Sequence, residues 1–248
     1  MVSIPTPEAV SGSAYAMDGV LILVDALRAS ATVCCLLHQG AKHVTVVDDV
    51  QQARDIRTKR PNVVTCGERG GVKIAGFDLG NSPTEILKAD LRGKSVVFTS
   101  SNFAYRLVAA RQAEHLLVGT CINASACCRE ALALAENGAS RIAIIPAGHT
   151  DAPLEEAEED WAASSLLARM LIEAGAEPEE LIAFKVAGYG NRIEREGLSG
   201  IFTNSRHGKA LASLGYAEDV SWCAGVDVFS VVPHLSAASA LPTLTRKQ

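Results

Sequence analysis

Short apolar runs alternate with helix-like segments along the first 148 residues, and this alternation limits the possible folds more than any other feature. Six runs have the length of buried strands and lie at 19–25, 43–48, 62–66, 95–100, 115–120 and 141–147. Strands that alternate with helices are typical of a parallel sheet with helices on both faces. The sequence therefore predicts an α/β fold with three layers, α/β/α, around a mostly parallel sheet.

The segments between these runs carry helix signals. Residues 29–39 have helical spacing, 50–59 form a polar helical segment, and further helices are expected near Asn102 and Asn123. Ser82 is expected to cap a helix that begins at Pro83.

The alternation weakens after residue 148. Two helices are predicted there, at 152–174 and 178–187, and residues 219–225 and 226–233 are expected to add one or two edge strands. No linker or composition change divides the chain, so one domain over 1–248 is predicted. About ten N-terminal and six C-terminal residues are expected to be loosely ordered.

Composition excludes several classes of protein. The net charge of −5 disfavours binding to nucleic acid or to an anionic membrane surface. No apolar run is long enough to span a bilayer, and no signal peptide is evident. The seven cysteines form no C-x-x-C pair. They are interpreted as reduced, buried residues of a cytoplasmic protein.

Candidate ligand-binding residues follow five of the six predicted strands. In parallel α/β sheets, ligands collect at the carboxyl ends of the strands, beside helix N-termini. In chain order the candidates are Asp25, Arg28, Ser30, Glu68, Arg69, Gly70, Gly71, Lys73, Ser101, Asn102, Asn123 and Asp160. A parallel sheet would bring these residues to one rim.

The chemistry of these candidates is that of metal-assisted phosphoryl transfer. Mg²⁺ prefers carboxylates together with waters and substrate oxygens. The carboxylates available for this are Asp25, Glu68, Asp78 and Asp160. Arg28, Arg69 and Lys73 offer positive charge for a phosphate, and the paired glycines let backbone N–H groups approach an anion.

Structural explanations remain open for the same residues. Asp25 at a strand end is also typical of a helix N-cap, and paired glycines are typical of a turn. An exposed pair of Glu68 and Arg69, or an acidic stretch at a helix N-terminus, needs no ligand. His149 and His207 are interpreted as structural or exposed histidines. Only convergence of these segments would favour a ligand site.

The segment CGERGGVKIAGFDLGNSP at 66–83 resembles the 2-phosphosulfolactate phosphatase family. The G-E-R-G-G motif of that family matches 67–71, and its G-F-D-L-G-N-S-P motif matches 76–83. Further similar elements lie at 25–30, where the family has D-V-L-R-A-S, and at 121–124, 159–160 and 205–211. The resemblance covers nearly the whole chain.

This resemblance implies a Mg²⁺-dependent enzyme that hydrolyses 2-phosphosulfolactate to 3-sulfolactate and phosphate, as in coenzyme M biosynthesis. It implies that Asp25, Glu68 and Asp160 are catalytic residues and metal ligands. The implied substrate-binding residues are Arg28, Ser30, Arg69, Gly70, Gly71, Lys73, Asn102 and Asn123. The expected partner is a small anionic phosphorylated metabolite. A homodimer is one alternative for the oligomeric state.

The chain departs from the family after the fourth predicted strand. Family members read T-T-N-G-T-R-A there, whereas this chain has Phe103 at the position of the Gly and Tyr105 at that of the Arg. Phe103 is therefore expected to narrow the pocket. Two alternatives stay open, namely a non-catalytic anion-binding or regulatory homologue and a phosphatase that acts on a different small substrate.

Overall fold

The computed structural model describes residues 2–3, 19–136, 141–149, 153, 156–236 and 239–246. Ten strands are found in this part of the chain. They are β1 (Val2–Ser3), β2 (Val20–Val24), β3 (His43–Val46), β4 (Val64–Arg69), β5 (Val72–Lys73), β6 (Ser95–Thr99), β7 (His115–Val118), β8 (Ile142–Pro146), β9 (Pro233–Leu235) and β10 (Thr243–Arg246).

Nine helices accompany these strands in the same described ranges. They are α1 (Ala29–His38), α2 (Val50–Lys59), α3 (Pro83–Ile86), α4 (Phe103–Ala109), α5 (Ala124–Glu136), α6 (Glu158–Glu173), α7 (Glu180–Asn204), α8 (Arg206–Ser213) and α9 (Ala217–Cys223).

All described strands belong to one sheet, in the order β1-β8-β2-β7-β9-β10-β3-β6-β4-β5. Five neighbouring pairs are parallel and four are antiparallel. The predicted α/β fold with a mostly parallel sheet is confirmed. The parallel pairs form two groups: β1, β8, β2 and β7 on one side, and β3, β6 and β4 on the other, with β5 at the edge beside β4.

An antiparallel hairpin of β9 and β10 joins the two groups. β9 pairs with β7, and β10 pairs with β3, so the hairpin occupies the middle of the sheet. The predicted edge strands at the C-terminus are therefore wrong in position. Residues 219–223 lie in α9, and Thr243–Arg246, expected to be loosely ordered, forms β10.

Side-chain alternation along the central strands builds a core on each face of the sheet. Val20, Ile22 and Val24 of β2 pack in one hydrophobic cluster with residues of α5 to α8. Leu21 and Leu23 point the other way and pack with residues of α1, α3 and α4. Successive strand residues face opposite sides, so both faces of a buried strand must be apolar. This arrangement gives the three layers.

Helix boundaries follow the sequence signals well in the N-terminal half. The Ser82 hydroxyl accepts a hydrogen bond from the Glu85 N–H, which is the predicted cap of α3. The C-terminal half differs more. α6 begins at Glu158 rather than at 152, and α7 runs to Asn204 with a non-helical residue, Gly197, inside it. The predictions for residues 1, 4–18, 247–248 and parts of 150–155 concern residues outside the described ranges.

All seven cysteines are buried and unpaired, as the sequence predicts. Burial raises the pKa of the Cys121 thiol to about 12, so the thiol stays protonated and behaves as a small apolar group. In the described ranges, no helix has both the length and the apolar character required to cross a membrane.

Candidate active site

A cavity of about 430 Å³ opens at the carboxyl ends of β2, β4, β6 and β8. Asp25 and His149 reach it from the strand group that contains β2, whereas Glu68 and Ser101 reach it from the group that contains β4. The first turn of α8 and the residues around it complete the wall. Cavities of about 300–1,000 Å³ are typical of small-molecule sites. This cavity is the candidate active site.

The glycine-rich segment enters the cavity as a tight hairpin. Arg69 pairs with Val72 across β4 and β5, and the two residues between them have φ values of 59° (Gly70) and 80° (Gly71). Positive φ at both central residues defines the type I′ turn, for which glycine is strongly favoured. Both glycines line the cavity. The segment therefore places a side-chain-free turn against the ligand space.

Glu68 holds this hairpin against the end of β6. Its carboxylate accepts hydrogen bonds from the Gly71 N–H at 2.7 Å, from the Ser101 N–H at 2.6 Å and from the Ser101 hydroxyl at 3.2 Å. The side chain is buried and lines the cavity. Because both oxygens are already bound by donors, Glu68 positions the turn.

Asp25 stands at the start of α1 with its carboxylate on the cavity wall. One oxygen accepts a hydrogen bond from the Ala29 N–H at 3.1 Å, and the Ser30 hydroxyl accepts one from the Asp25 N–H at 2.9 Å. Burial raises the pKa of Asp25 to about 6, and the charge of Glu68 contributes to the rise. The N-cap of α1 is Arg28, so the N-cap explanation for Asp25 is wrong, although its carboxylate accepts from the first amide of the helix; Asp25 is a cavity residue.

Asp160 links the loops that follow β2 and β8. Its carboxylate accepts hydrogen bonds from the Ala26 N–H at 2.7 Å and from the Gly148 N–H at 2.9 Å. Burial raises the pKa of Asp160 well above its ordinary value, and the charges of Asp25 and Glu159 raise it further. Several buried carboxylates thus lie close together at this end of the cavity.

Arg28 connects the cavity wall to α9. Its guanidinium donates hydrogen bonds to Asp219 at 2.7 Å and to the Gly71 carbonyl at 2.7 Å, and it lies over the ring of Tyr216. The side chain is only 2% exposed. Part of its hydrogen-bonding capacity is therefore used to hold the hairpin, although the residue lines the cavity.

Two histidines of the cavity wall contact one buried carboxylate. Glu159 Oε1 lies 3.4 Å from His149 Nε2 and 3.3 Å from His207 Nδ1, and the two rings meet edge to face. The contact with Glu159 raises the pKa of His149. Both histidines were interpreted from the sequence as structural or exposed, whereas both line the cavity.

Arg69 and Lys73, two of the predicted substrate-binding residues, lie outside the cavity wall. The Arg69 guanidinium donates to the carbonyls of Glu68 and Asp48 and to the Thr99 hydroxyl. The Lys73 ammonium donates to the Asp78 carbonyl and pairs with Glu85. The Arg69 bonds tie the segment 66–85 to Asp48 and Thr99, and the Lys73 bonds hold the segment to its own residues.

Ser30 and Asn123 are also placed behind the cavity. The Ser30 hydroxyl is used by the backbone of Asp25. The Asn123 side chain is fully buried, donates to the carbonyls of Val118 and Val231, and accepts from the Thr120 N–H. Asn123 thus fastens the end of β7 to the chain before β9. Asn102, by contrast, lines the cavity, and its role in substrate binding stays a prediction.

The three predicted metal ligands are not gathered into one tight set. Within the described ranges, one group of three His, Cys, Asp or Glu side chains has all its ligand atoms within 4.8 Å of one another. That group is His149, Glu159 and His207 rather than Asp25, Glu68 and Asp160. A common metal for those three carboxylates stays a prediction.

Phe103 does not narrow the cavity. Its side chain is fully buried and packs edge to face against Phe98, with 6.1 Å between ring centroids. Arg106 donates to the Ala147 carbonyl, and Tyr105 is half exposed outside the cavity wall. The expected narrowing is wrong because the first turn of α4 directs this ring into the core.

Sequence reasoning missed part of the wall. Arg206 and His207 line the cavity from the first turn of α8, and Asn81 lines it from the loop before α3. All three lie inside segments that were noted for their motifs, 76–83 and 205–211. The motifs were the available signal, but α8 follows no strand, so the rule about strand ends could not include it.

Comparisons with known proteins agree with the likeness read from the motifs. A family model described as 2-phosphosulpholactate phosphatase matches residues 4–238. A probable 2-phosphosulfolactate phosphatase from Deinococcus radiodurans is 35% identical over 230 residues, which are 90% of this chain and 90% of the relative. One from Carboxydothermus hydrogenoformans is 32% identical over 222 residues, which are 88% of this chain and 87% of the relative.

Proposed function

Because the chain belongs to the 2-phosphosulfolactate phosphatase family, we propose that it is a Mg²⁺-dependent phosphatase that hydrolyses 2-phosphosulfolactate to 3-sulfolactate and phosphate. Family membership supports a phosphoric monoester hydrolase. The observation that carries the proposal is the convergence of Asp25, Glu68 and the Gly70–Gly71 turn on one cavity with Arg206. We propose that this reaction serves coenzyme M biosynthesis. A cytoplasmic location and a homodimer stay predictions.

The proposed anion-binding surface lies between the glycine turn and α8. Arg206 and His207 occupy the first turn of α8, and their side chains reach the cavity wall. Backbone N–H groups at a helix N-terminus favour negative charge, and a guanidinium adds a two-pronged donor. A doubly anionic substrate needs two such positions. Arg28 and Asn102 supply further polar groups on the same wall.

The donor chemistry around Asp25 fits Mg²⁺. In the described ranges, neither Asp25 nor Asp160 forms an ion pair with Arg or Lys, although both are buried. Buried carboxylates are costly without a compensating cation, and Mg²⁺ prefers oxygen ligands. Asp25, with support from Asp160, would hold the ion. When bound, Mg²⁺ neutralises charge on the transferring phosphoryl group and favours ionisation of water.

The remaining roles belong to the chain itself. Glu68 holds the glycine turn and Ser101 in place, and Asp160 holds the loop that carries Asp25. Such positioning lowers the barrier because the reacting groups need no reorganisation when the substrate binds. Asp25 is proposed to face the phosphoryl group and the attacking water.

Phosphate release is the direct test. Purified protein with Mg²⁺ is expected to release phosphate from 2-phosphosulfolactate, and EDTA is expected to stop the release. The variant Asp25→Asn should be inactive, whereas the exposed Asp90→Asn should match the parent protein. Thermal stabilisation by the substrate without phosphate release would instead indicate the anion-binding homologue. Turnover of other phosphoesters alone would indicate a different substrate.

A further inference from the structure

Glu159 presents a buried carboxylate to two imidazoles without forming a hydrogen bond to either. The residue is 1% exposed, and neither of its oxygens has a partner with hydrogen-bond geometry, nor does His149 Nε2. Hydrogen bonds from a charged donor to a carboxylate are usually about 2.7–2.9 Å long. The distances of 3.4 Å and 3.3 Å to His149 and His207 are longer than that. A buried carboxylate without a hydrogen-bond partner indicates that a ligand or ion is missing from its surroundings.

The spacing matches the edge of a tetrahedral metal site. Zinc binds imidazole nitrogen at about 2.0–2.1 Å and carboxylate oxygen at about 2.0–2.2 Å. Two ligands at these distances on a tetrahedral ion lie about 3.4 Å apart. An octahedral Mg²⁺ with ligands at about 2.0–2.1 Å would bring adjacent ligands to about 2.9 Å. The observed separations of 3.3 Å and 3.4 Å therefore favour the tetrahedral ion.

The ligand chemistry points the same way. Imidazole nitrogen suits zinc and related transition metals, whereas Mg²⁺ sites are built from oxygen. Two histidines with one glutamate and an open position form a known type of catalytic zinc site. Because His149 and His207 both line the cavity, an ion here would adjoin the ligand space.

We propose that His149, Glu159 and His207 bind a divalent transition-metal ion of the zinc type, with an open coordination position for an oxygen of the substrate or of phosphate. This site is separate from the oxygen-rich position at Asp25. The three ligands come from distant parts of the chain: the loop after β8, the first turn of α6 and the first turn of α8. The ion would therefore also fasten these elements together at the cavity.

Cobalt substitution tests the proposal without reference to turnover. Metal-free protein is titrated with Co²⁺, which gives intense visible absorption in a tetrahedral site, and Zn²⁺ is then added to displace it. We expect one Co²⁺ per chain, loss of the absorption on addition of Zn²⁺, and a shift of the absorption bands when inorganic phosphate is added. His149→Ala and His207→Ala should each weaken binding at least about 10-fold.

Two controls separate this site from other effects. His115→Ala removes a histidine that forms an ion pair with Glu114 and does not line the cavity, and it should leave the cobalt spectrum unchanged. Asp25→Asn should also keep the spectrum while it abolishes Mg²⁺-dependent turnover, so the two proposals can fail separately. Circular dichroism verifies that each variant is folded. Weak octahedral absorption, or Co²⁺ binding by folded His149→Ala and His207→Ala that is as tight as in the parent protein, would mean an adventitious ion only and would overturn the proposal.

Discussion

Arg28 and Asp219 form an ion pair of 2.7 Å between side chains that are 2% and 1% exposed and 191 residues apart in the chain. The pair ties the cavity wall to α9, and Asp219 also accepts hydrogen bonds from Ser82 and Thr84. A buried pair costs solvation when formed, but removal of one partner leaves an unpaired buried charge. The pair therefore contributes both to the stability of the fold and to the position of the cavity wall.

Loss of the Asp219 charge is expected to destabilise the protein. Asp219→Ala should lower the free energy of unfolding by about 3–5 kcal/mol, because Arg28 is then left buried without its partner. Urea denaturation followed by tryptophan fluorescence measures the change. Asp55→Ala, which removes an exposed carboxylate bonded to Gln51 within α2, serves as the comparison and should cost less than about 1 kcal/mol. Similar losses in the two variants would contradict the importance of the buried pair.

Glu68 is expected to control the order of the glycine turn. In Glu68→Gln, the amide can offer only one acceptor oxygen to the N–H groups of Gly71 and Ser101. A lost hydrogen bond to a charged group is worth about 1.5–3 kcal/mol, so exchange of these two amide hydrogens should accelerate about 10-fold or more. Hydrogen exchange measured by NMR tests this. Unchanged protection of both amides would rule out the positioning role.

Arg206 and Lys73 should differ in their effects on substrate binding. Arg206 lines the cavity and pairs with Glu156 at 2.9 Å, whereas Lys73 lies outside the cavity wall, with its ammonium bonded to Asp78 and Glu85. Arg206→Ala should raise the KM for the phosphoester about 10-fold, and Lys73→Ala should leave it within about 3-fold. Steady-state kinetics with saturating Mg²⁺ provide the comparison. The opposite order would place the anion on the Lys73 side of the hairpin.

Asp25 makes the stability of the metal-free protein depend on pH. Burial raises the pKa of Asp25 from its ordinary value of 3.8 to about 6 in the folded protein. The folded state therefore binds the proton more tightly than the unfolded chain does. The free energy of unfolding should therefore fall as the pH rises from about 4 to 7. The contribution of Asp25 is of the order of 2–3 kcal/mol.

The variant Asp25→Asn isolates this contribution. With EDTA present, the variant should be more stable than the parent protein at pH 7 and should lose the advantage as the pH falls to about 4. The exposed Asp55→Asn is the control and should follow the parent. Thermal melting at several pH values measures the difference. If the parent protein is more stable than Asp25→Asn at pH 7, the pKa of Asp25 is not raised by folding.

Gly208 is expected to set the position of α8. A Cβ at this residue would overlap the Phe202 carbonyl oxygen, so Gly208→Ala must move the start of α8 away from α7. We expect a loss of more than about 2 kcal/mol in stability and weaker cobalt binding through His207. Gly200→Ala, where the nearest atom is 3.5 Å away, should instead stabilise α7 by up to about 1 kcal/mol. Equal stability of the two variants would contradict this packing constraint.

Local signals account for most of the fold that the sequence predicts. β2, β6, β7 and β8 coincide with apolar runs, and α2 has its predicted bounds, because periodicity and caps are properties of neighbouring residues. The central position of β9 and β10 is different. β9 has three residues, and the place of the hairpin depends on pairing of β9 with β7 and of β10 with β3 across long stretches of chain. No local pattern carries that information.

The site shows the same division. Asp25, Glu68 and the glycine turn were predicted together because they follow parallel strands, whose carboxyl ends must share an edge. Lys73 was predicted with them because it is near in sequence, but its ammonium is bonded to Asp78 and Glu85 outside the cavity wall. His207 was missed because its helix reaches the cavity through helix packing, which leaves no strand-end signal.

The hairpin of β9 and β10 also determines when the active site can assemble during synthesis. Asp25 belongs to one strand group and Glu68 to the other, and among the described strands this hairpin alone hydrogen-bonds to both groups. The ribosome releases Arg246 after it has released every other described strand. A nascent chain therefore lacks the hydrogen-bonded link between the two strand groups until residues 233–246 have left the ribosome, and we expect Asp25 and Glu68 to be fixed against each other only after that point.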